Sequence, residues 1–380
     1  MTRLHVCVLT ADFPRTGAPD AGAFVHTLWS EAQSQGAKVN VVAPTRYPIR
    51  ATRSGIESGL RVSRPGYFTP GVAAPFAAHR RRWSLRGWTN AAAASVAGQE
   101  LPDVFFGQFL FPAGQAASLL AARFDRPSFV EISENSTGID GWFHAHSKQE
   151  VQDLLLSFTG IIAVSDELAA MLTENFGVPA GRILVSRNGI DHRLFAPGGP
   201  RAEEEPPASH QPIRTVTVAR HHPVKGVQLV ADAIDSLDGV RGLFVGDGPH
   251  PPTGDRIELC GSVAHDRIPS HLRRGDIFVL PSTSEGCANA VLEAMAVGLP
   301  LILSDRPFMH EIADESFATF VDPTSSSEIA SAIAELAADP TNRRERGKRA
   351  RETAMQFRID DRAKAILSWM SGQPARSGRG

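Results

Sequence analysis

Short apolar segments alternate with helical segments along most of this 380-residue chain, in two successive series. A short apolar run between turn residues is typical of a buried strand. Strands that alternate with helices imply parallel sheets joined by right-handed crossovers. We therefore predict an α/β protein with two parallel sheets. The predicted strands are Leu4–Leu9, Val39–Val42, Val104–Phe106, Ser128–Ile132, Gly160–Val164 and Ile183–Val185 in the first series, and Thr215–Val218, Gly242–Val245, Arg256–Leu259, Ile277–Leu280, Leu299–Leu303 and Ala318–Phe320 in the second.

A segment dense in proline, glycine and charge, Pro197–Pro207, separates the two series. That composition is typical of an interdomain linker. We therefore predict an N-terminal domain at residues 1–195, a linker at 196–212 and a C-terminal domain at 213–354.

The end of the chain is predicted to be helical around Glu345–Met370, with Phe357 and Trp369 among the side chains to bury. We expect residues 355–370 of this helix to complete the N-terminal domain. Residues 371–380 are rich in glycine, serine and arginine, a composition expected of a disordered tail.

Composition excludes several classes of protein. A net charge of −2 argues against a strongly basic nucleic-acid binder, so no nucleic-acid partner is expected. Three well-separated cysteines argue against disulfides and a zinc cluster, and they favour a reducing cytosol. The apolar run at the N-terminus is too short for a secretory signal, and no run approaches the roughly 20 apolar residues of a membrane helix. We expect a cytoplasmic protein that is soluble or bound to a membrane surface.

Positive charge is concentrated near the N-terminus. Residues 1–126 contain fourteen Lys or Arg and seven Asp or Glu, so their net charge is 14 − 7 = +7. In the segment Arg80–Trp88, arginines alternate with Trp83, Leu85 and Trp88. This pattern suits peripheral contact with an anionic membrane or with a phosphorylated acceptor. It equally suits a solvated helix whose tryptophans face the core.

The segment Ser284–Ala296 follows the predicted strand Ile277–Leu280 and opens a helix. A loop in that position lies at the carboxyl edge of its sheet, where open α/β sheets bind ligands. Gly286 lets the backbone approach a ligand closely, and amides at a helix N-terminus favour an anion. The amides expected there belong to Cys287, Ala288 and Asn289.

Two carboxylates of this segment, Glu285 and Glu293, are eight residues apart. A continuous helix with a rise of ~1.5 Å per residue would separate them by ~12 Å. That is more than the roughly 5 to 9.5 Å between the acid and base of a glycosidase. The spacing instead suits two carboxylates that hold opposite ends of one extended ligand, or a plain amphipathic helix with solvated glutamates.

A second loop, Thr217–Gly226, follows the first strand of the C-terminal series and leads into a helix. Arg220 offers a planar fork for a diphosphate, and Lys225 offers a point charge beside it. Gly226 starts the helix without a side chain in the way. A surface pair of cations is the alternative, but the loop shares its sheet edge with Glu285.

Two weaker signals follow neighbouring strands. Val245–Pro249 is a glycine turn without the spacing of a dinucleotide-binding fingerprint, and we interpret it mainly as structural. Leu259–Val263 ends another strand, where the loop backbone up to Val263 is placed to contact a nucleotide base.

In the N-terminal domain, two loops follow predicted strands. Gly17 and Gly22 let the first loop pass close to a phosphate, with a helix N-terminus behind it. The second loop carries short polar side chains, among them Asn135 and Ser136, which suit a hydroxyl-rich ligand or simply a capped turn.

Together these motifs resemble family-four glycosyltransferases of the GT-B fold. The resemblance covers most of the chain and implies two Rossmann-like, doubly wound parallel-sheet domains that face each other across a cleft. The matching motifs are the N-terminal glycine loop, Arg220-x4-Lys225-Gly226, Asn188-Gly189-Ile190-Asp191 with Phe195, and Glu285-x7-Glu293 followed by Ala294-Met295-Ala296 and Gly298-x-Pro300.

The resemblance implies a role for each matching residue. Arg220 and Lys225 would neutralise the donor diphosphate, and Glu285 would hold hydroxyls of the transferred sugar. Glu293 would hold the ribose, while the amides of the Gly286–Asn289 segment would support the phosphates or the sugar.

The implied activity is that of a retaining, metal-independent hexosyltransferase. It would use a nucleotide-diphosphate sugar as co-substrate and no further cofactor. The acceptor, bound by the N-terminal domain, would be a glycan, a lipid-linked glycan or a small molecule, and the protein would work in the cytoplasm, at the inner face of the cell membrane. A nucleotide-sugar epimerase and a non-catalytic nucleotide-sugar-binding protein on the same scaffold are the alternatives.

The chain departs from the family pattern at two places. Ala21-Gly22 stands where a pair of glycines is usual, and Asn135 stands where many relatives have a histidine. Asn135 can form hydrogen bonds but cannot usefully accept a proton at neutral pH. His144 and His146 lie nearby in a helix-like stretch, and His144 joins Asn135 and Ser136 as a candidate for contact with acceptor or sugar.

Overall fold

A computed structural model describes residues 3–15, 21–46, 52–57, 59–68, 77–97, 100–134, 136–144, 146–197 and 212–373. Two compact units are present. The first contains the residues up to Arg15, Ala21–Arg187 and the segment from Asp360, and the second contains Asn188–Ile359. Gly17, Asn135, most of the predicted linker and most of the predicted tail lie outside the described residues.

The first unit is built on an eight-stranded sheet in the order β10-β9-β8-β7-β1-β2-β5-β4, and a separate pair is formed by β3 and β6. The strands are β1 (His5–Leu9), β2 (Lys38–Val42), β3 (Thr45–Arg46), β4 (Thr52–Glu57), β5 (Leu60–Arg64), β6 (Gly66–Tyr67), β7 (Val104–Gln108), β8 (Ser128–Ile132), β9 (Gly160–Ala163) and β10 (Ile183–Val185). The helices are α1 (Ala23–Ser34), α2 (Ala77–Ala97), α3 (Gln115–Phe124), α4 (Ser136–Trp142), α5 (Lys148–Ser157) and α6 (Asp166–Phe176).

Neighbouring strands of the large sheet run parallel, except for β4 and β5, which are antiparallel. Strands β1, β7, β8 and β9 are buried along their whole length, as expected of a parallel sheet covered on both faces. The strand order reverses between β1 and β7, and this switch point is where open α/β sheets bind ligands.

All six predicted strands of the first series are present, but β3, β4, β5 and β6 were not predicted. The hairpin of β4 and β5 lies in a polar, arginine-rich stretch without a continuous apolar run. It forms the edge of the sheet, where a strand needs less apolar surface than in the centre. The prediction of strands from apolar runs therefore missed this hairpin.

The second unit has a six-stranded, entirely parallel sheet in the order β13-β12-β11-β14-β15-β16. Its strands are β11 (Ile213–Val218), β12 (Val240–Val245), β13 (Ile257–Leu259), β14 (Ile277–Leu280), β15 (Leu301–Ser304) and β16 (Ala318–Val321), close to the predicted ones. Its helices are α7 (Val227–Asp235), α8 (Ile268–Leu272), α9 (Asn289–Val297), α10 (Pro307–His310), α11 (Ser326–Ala338) and α12 (Pro340–Ala354).

Helices cover both faces of this second sheet. Side chains alternate along β14, so that Phe278 and Leu280 pack in one core with α8, α9 and α12. Ile277 and Val279 pack in the other core with α7 and α11. The strand order reverses between β11 and β14, which makes the loops after these two strands the expected ligand site.

The second unit begins at Asn188, whereas the sequence predicted the end of the N-terminal domain at residue 195. Residues from Asn188 onward belong to the second unit, because Ile190 and Phe195 are buried in its core. Ile190 also pairs with Arg358 in an isolated parallel bridge.

The predicted helix at Glu345–Met370 is broken into α12 and the last helix, α13 (Ile359–Gly372). Phe357 accepts a backbone hydrogen bond from Ile190, and Ile359 donates one to the same residue, so the chain is extended there. From Asp360 on, α13 belongs to the first unit, where Trp369 packs edge-to-face on Phe129 at 5.6 Å. Its C-terminal end reaches two residues into the segment 371–380 that was expected to be disordered.

Candidate active site

The two loops at the switch point of the second unit are joined to each other. The amide of Thr283, after β14, donates a 2.8 Å hydrogen bond to the carbonyl of Val224, after β11. Gly226 has a φ of 66°, and a Cβ there would lie 2.9 Å from Pro281 Cγ. Glycine is therefore needed for this close approach. The contact brings Lys225 and Glu285 together, although they are far apart in sequence.

Lys225 and Glu285 form an ion pair, with Nζ 2.5 Å from Oε1. The side chains are 21% and 11% exposed, so the pair is shielded from much of the solvent yet not sealed off. A charge-assisted hydrogen bond of this kind fixes the position of the ammonium group. The ammonium has three protons, and the hydrogen bond to Glu285 uses one of them.

Arg220 is exposed on the same loop as Lys225. Its loop is supported by the Val245–Pro249 turn, because the amide of His221 donates a 2.7 Å hydrogen bond to the carbonyl of Asp247. Gly248 approaches so closely that a Cβ there would lie 2.3 Å from the carbonyl oxygen of His221. In the structure this glycine turn braces the Arg220 loop.

Helix α9 begins at Asn289, with Ala288 at its N-cap. The assumption of a continuous helix from Glu285 to Glu293 is therefore wrong, and the ~12 Å separation worked from it does not apply. Gly286 and Cys287 precede the helix and belong to the loop after β14. The amides at the N-terminus of α9 are those of Asn289 and Ala290, which have no carbonyl four residues earlier in the helix.

Glu293 lies in the middle of α9 and is buried. Its Oε1 is 2.8 Å from Nε2 of His265, a residue that sequence reasoning missed. Burial alone would lower the pKa of His265, but the hydrogen bond and charge of Glu293, with the charges of Asp266 and Asp191, raise that pKa above its ordinary value. Val263, predicted beside the base, is partly buried against the same core.

In the first unit, Gly22 is the N-cap of α1 and has a φ of 65°. A Cβ at this position would lie 2.2 Å from the carbonyl oxygen of Asp12. Glycine is therefore required by the packing of the loop against itself. Gly17, the other glycine predicted near a phosphate, lies outside the described residues.

The polar segment after β8 contains a residue that the prediction left out. Glu134 is buried and accepts hydrogen bonds from the amides of Leu110 and Ser133 and from the indole of Trp142. Burial raises the pKa of Glu134 to about 7, although those hydrogen bonds act in the opposite direction. Its position directly before Asn135 was the only sequence signal.

The three candidates for acceptor contact are not brought together in the described residues. Asn135 and the side chain of Ser136 lie outside them, although Ser136 is the first residue of α4. His144 is exposed after the end of α4. Its neighbour His146 lines a cavity of the first unit and stacks on Phe111 with ring centroids 4.2 Å apart.

The segment Arg80–Trp88 lies on α2, and its two tryptophans face different ways. Trp83 is 67% exposed, whereas Trp88 is 2% exposed and packs in the core. Arg82 forms an ion pair with Glu150 at 3.1 Å. The exposed Trp83 fits the interpretation of membrane contact, and the buried Trp88 fits that of a helix whose tryptophans face the core. Within the described residues, no helix has the length and apolar character needed to cross a membrane.

The candidate site of the second unit contains groups that bind anions and groups that bind hydroxyls. Arg220 and Lys225 are cations, Glu285 and Glu293 are acceptors, and the N-terminus of α9 supplies amides. In the part of the chain that the structure describes, no three His, Cys, Asp or Glu side chains are grouped to hold a metal ion.

Known proteins similar to this chain include glycosyltransferases. Residues 212–339 match the family model "Glycosyl transferases group 1", and residues 21–189 match "Glycosyl transferase 4-like domain". A putative teichuronic acid biosynthesis glycosyltransferase of Bacillus subtilis is 25% identical over 355 residues, which are 87% of this chain and 88% of that protein.

Two solved structures share the fold. Sucrose-phosphate synthase of Thermosynechococcus elongatus has a TM-score of 0.78 at 19% identity, covering 97% of this chain and 98% of that one. Anabaena HepE in complex with UDP-glucose has a TM-score of 0.72 at 16% identity, covering 97% and 100%. The family matches and the shared fold identify a glycosyltransferase with the GT-B fold. The chain belongs to the family-four-like glycosyltransferases, and the predicted family and fold class are confirmed.

Proposed function

We propose that this glycosyltransferase moves a hexosyl group from a nucleotide-diphosphate sugar to an acceptor hydroxyl, with retention of anomeric configuration and without a metal ion. The observation that carries the proposal is the Lys225–Glu285 ion pair at the switch point of the second sheet, with Arg220 on the same loop. Cations at that place suit a diphosphate, and the carboxylates beside them suit sugar and ribose hydroxyls.

The charged residues of the site have distinct roles in the proposed reaction. Arg220 and Lys225 neutralise the diphosphate as it leaves, assisted by the amides at the N-terminus of α9. Glu285 holds hydroxyls of the transferred sugar and keeps the Lys225 ammonium in place. Glu293 accepts hydrogen bonds from the ribose. Because charge develops mainly on the departing diphosphate, fixed cations and amide dipoles lower the barrier most.

The bond changes balance without a nucleophile from the protein. The acceptor oxygen attacks the anomeric carbon on the face from which the diphosphate departs. The bond from the anomeric carbon to the phosphate oxygen breaks, and its electron pair stays on the diphosphate. The acceptor's proton passes to a phosphate oxygen, so that the products are a glycoside and a nucleoside diphosphate.

The biological setting belongs to the same proposal. The Bacillus subtilis relative is named for teichuronic acid biosynthesis, and we infer for this chain a role in the synthesis of a polysaccharide, a lipid-linked glycan or a glycosylated metabolite. The protein would act in the cytoplasm, at the inner face of the membrane. The exposed Trp83 among the arginines of α2 supports peripheral contact with anionic lipid.

The experiment begins with a thermal-shift screen of nucleotide sugars, since a ligand at 100 times its dissociation constant stabilises a protein by ~2.7 kcal/mol. With the donor found, transfer and donor hydrolysis are measured for wild type, Lys225→Ala and Lys348→Ala. We expect Lys225→Ala to lose at least ~100-fold in rate, because it removes a phosphate-binding cation. Lys348, an exposed lysine of α12, serves as the matched control and should leave the rate unchanged.

Four results would contradict parts of the proposal. Equal rates for Lys225→Ala and wild type would remove Lys225 from the site. A product of inverted configuration by proton NMR would exclude the retaining mechanism, and loss of activity in a chelator would exclude metal independence. Nucleotide-sugar binding without turnover across an acceptor panel would indicate a binding protein.

A further inference from the structure

A cavity of about 490 Å³ opens at the carboxyl edge of the sheet in the first unit. Residues just beyond the ends of β1, β2, β7 and β8 line it, namely Ala11, Pro44, Phe109 and Glu134. The cavity therefore spans the switch point between β1 and β7. Since ligands of open α/β sheets bind at this point, the cavity is in the position of a ligand site.

The described walls of the cavity are largely aromatic, and their one basic side chain is His146, whose pKa burial lowers. Tyr67, Trp88, Phe109, Phe111 and Trp142 line it, and none of its described lining residues is a lysine or arginine. An anionic group would lose its hydration there without gaining a cation in return, which is costly. The composition therefore favours an uncharged ligand.

The polar groups at the cavity are few, and the most prominent one is already satisfied. Both carboxylate oxygens of Glu134 accept hydrogen bonds from neighbouring amides or from Trp142. A saccharide buried in this space would have only Tyr67, Ser84 and His146 as further polar partners for its many hydroxyls, and each hydroxyl left unpaired costs free energy. Burial also raises the pKa of Glu134 to about 7, which makes the charged form of this carboxyl group less favourable than in water.

Resting on the proposed function, we propose that this cavity receives the uncharged, apolar part of the acceptor, an alkyl or aryl body, while the acceptor's hydroxyl remains outside it. The aromatic walls bury such a body favourably. The indole of Trp142 is held in place in the cavity wall. It donates a hydrogen bond to Glu134, which also accepts one from the amide of Leu110 in the loop after β7.

Gly141 on α4 offers a direct way to fill the cavity. It lines the cavity, and a Cβ added to it would meet no atom within 4 Å. Gly141→Leu is therefore expected to fold and to occupy space that the ligand needs. Gly181, exposed in the turn Ala180–Arg182, has the same open surroundings and does not line the cavity. Gly181→Leu is the matched control.

The test is equilibrium binding followed by tryptophan fluorescence, since Trp88 and Trp142 line the cavity. The probes are methyl, octyl and phenyl β-glucosides below any micelle concentration, together with octyl phosphate. We expect the octyl or phenyl glucoside to bind at least about tenfold more tightly than the methyl glucoside, and the better of the two identifies an alkyl or an aryl body. We expect Gly141→Leu to weaken that binding about tenfold or more, and Gly181→Leu to leave it unchanged.

Several outcomes would overturn the inference. Equal affinity for the methyl and octyl glucosides would show that no apolar body is recognised. Tighter binding of octyl phosphate than of both apolar glucosides would show an anion site. Unaltered binding by Gly141→Leu, with its fold verified by circular dichroism, would place the ligand elsewhere. None of these measurements needs turnover, so failure here is separate from failure of the proposed transfer reaction.

Discussion

The ion pair between Glu131 on β8 and Arg362 on α13 allows a sharp test of how the last helix is held in the first unit. The two side chains are 0% and 4% exposed, and Arg362 Nη2 lies 2.8 Å from Glu131 Oε2. The other carboxylate oxygen accepts a 3.0 Å hydrogen bond from Gln108 Nε2. Arg362→Met keeps most of the side-chain volume and removes the cation, so that a buried carboxylate loses its charge partner.

The expected cost follows from that burial. Removing one partner of a buried ion pair destabilises a protein by about 3–5 kcal/mol, whereas replacing both partners is often close to neutral. We therefore expect Arg362→Met to lower the free energy of unfolding by about 3–5 kcal/mol. The double variant Glu131→Gln with Arg362→Met should regain most of this loss, giving a coupling free energy of about 2 kcal/mol or more.

The assay is urea unfolding of the whole chain, with hydrogen exchange of the α13 amides to identify the affected unit. Lys364→Met, on the exposed side of the same helix, is the control and should stay within about 0.5 kcal/mol of wild type. Arg362→Met as stable as Lys364→Met would refute the reasoning, and so would strictly additive effects in the double variant.

Two further predictions concern charge. The pKa of His265 is raised above 6.5 in the folded protein by Glu293, Asp266 and Asp191, despite burial. Its contribution to stability is therefore complete below about pH 6.5 and is lost as the pH rises through the folded-state value. In denaturation curves, the stability difference between wild type and His265→Gln should shrink over that range, and a constant difference would contradict the assignment. For the arginine-rich α2, co-sedimentation with anionic liposomes should weaken with salt and with Trp83→Ser, whereas binding that ignores both would argue against membrane docking.

Much of the fold was predictable because the strands of parallel sheets are continuous apolar runs. All twelve predicted strands are present in the structure, whereas their order within each sheet, which sets the two switch points, was not predicted. The hairpin of β4 and β5 was not predictable in this way, because polar and arginine residues interrupt the apolar residues of both strands. The break before α13 was missed because its cause, pairing with Ile190, lies far away in sequence.

The candidate site also combines features with a local sequence signal and features that depend on contacts between residues far apart in sequence. That Lys225 and Glu285 lie at the same sheet edge was predictable, because each follows the end of a strand and both strand ends meet there. The partners His265, for Glu293, and Arg362, for Glu131, were not predictable, since side-chain pairing across the fold leaves no local pattern. Glu134 was passed over because its burial, the property that sets it apart, is a consequence of tertiary packing.

The course of α13 has a consequence for how the protein is made. During translation, residues 360–373 are synthesised after every strand of both sheets, yet they pack on the sheet that was synthesised first. A nascent chain can thus complete its second unit while the first still lacks the guanidinium that faces Glu131 and the indole that covers Gly160. Ribosome stalling or proteolytic trimming before this helix would damage the first-made half of the molecule and spare the later one.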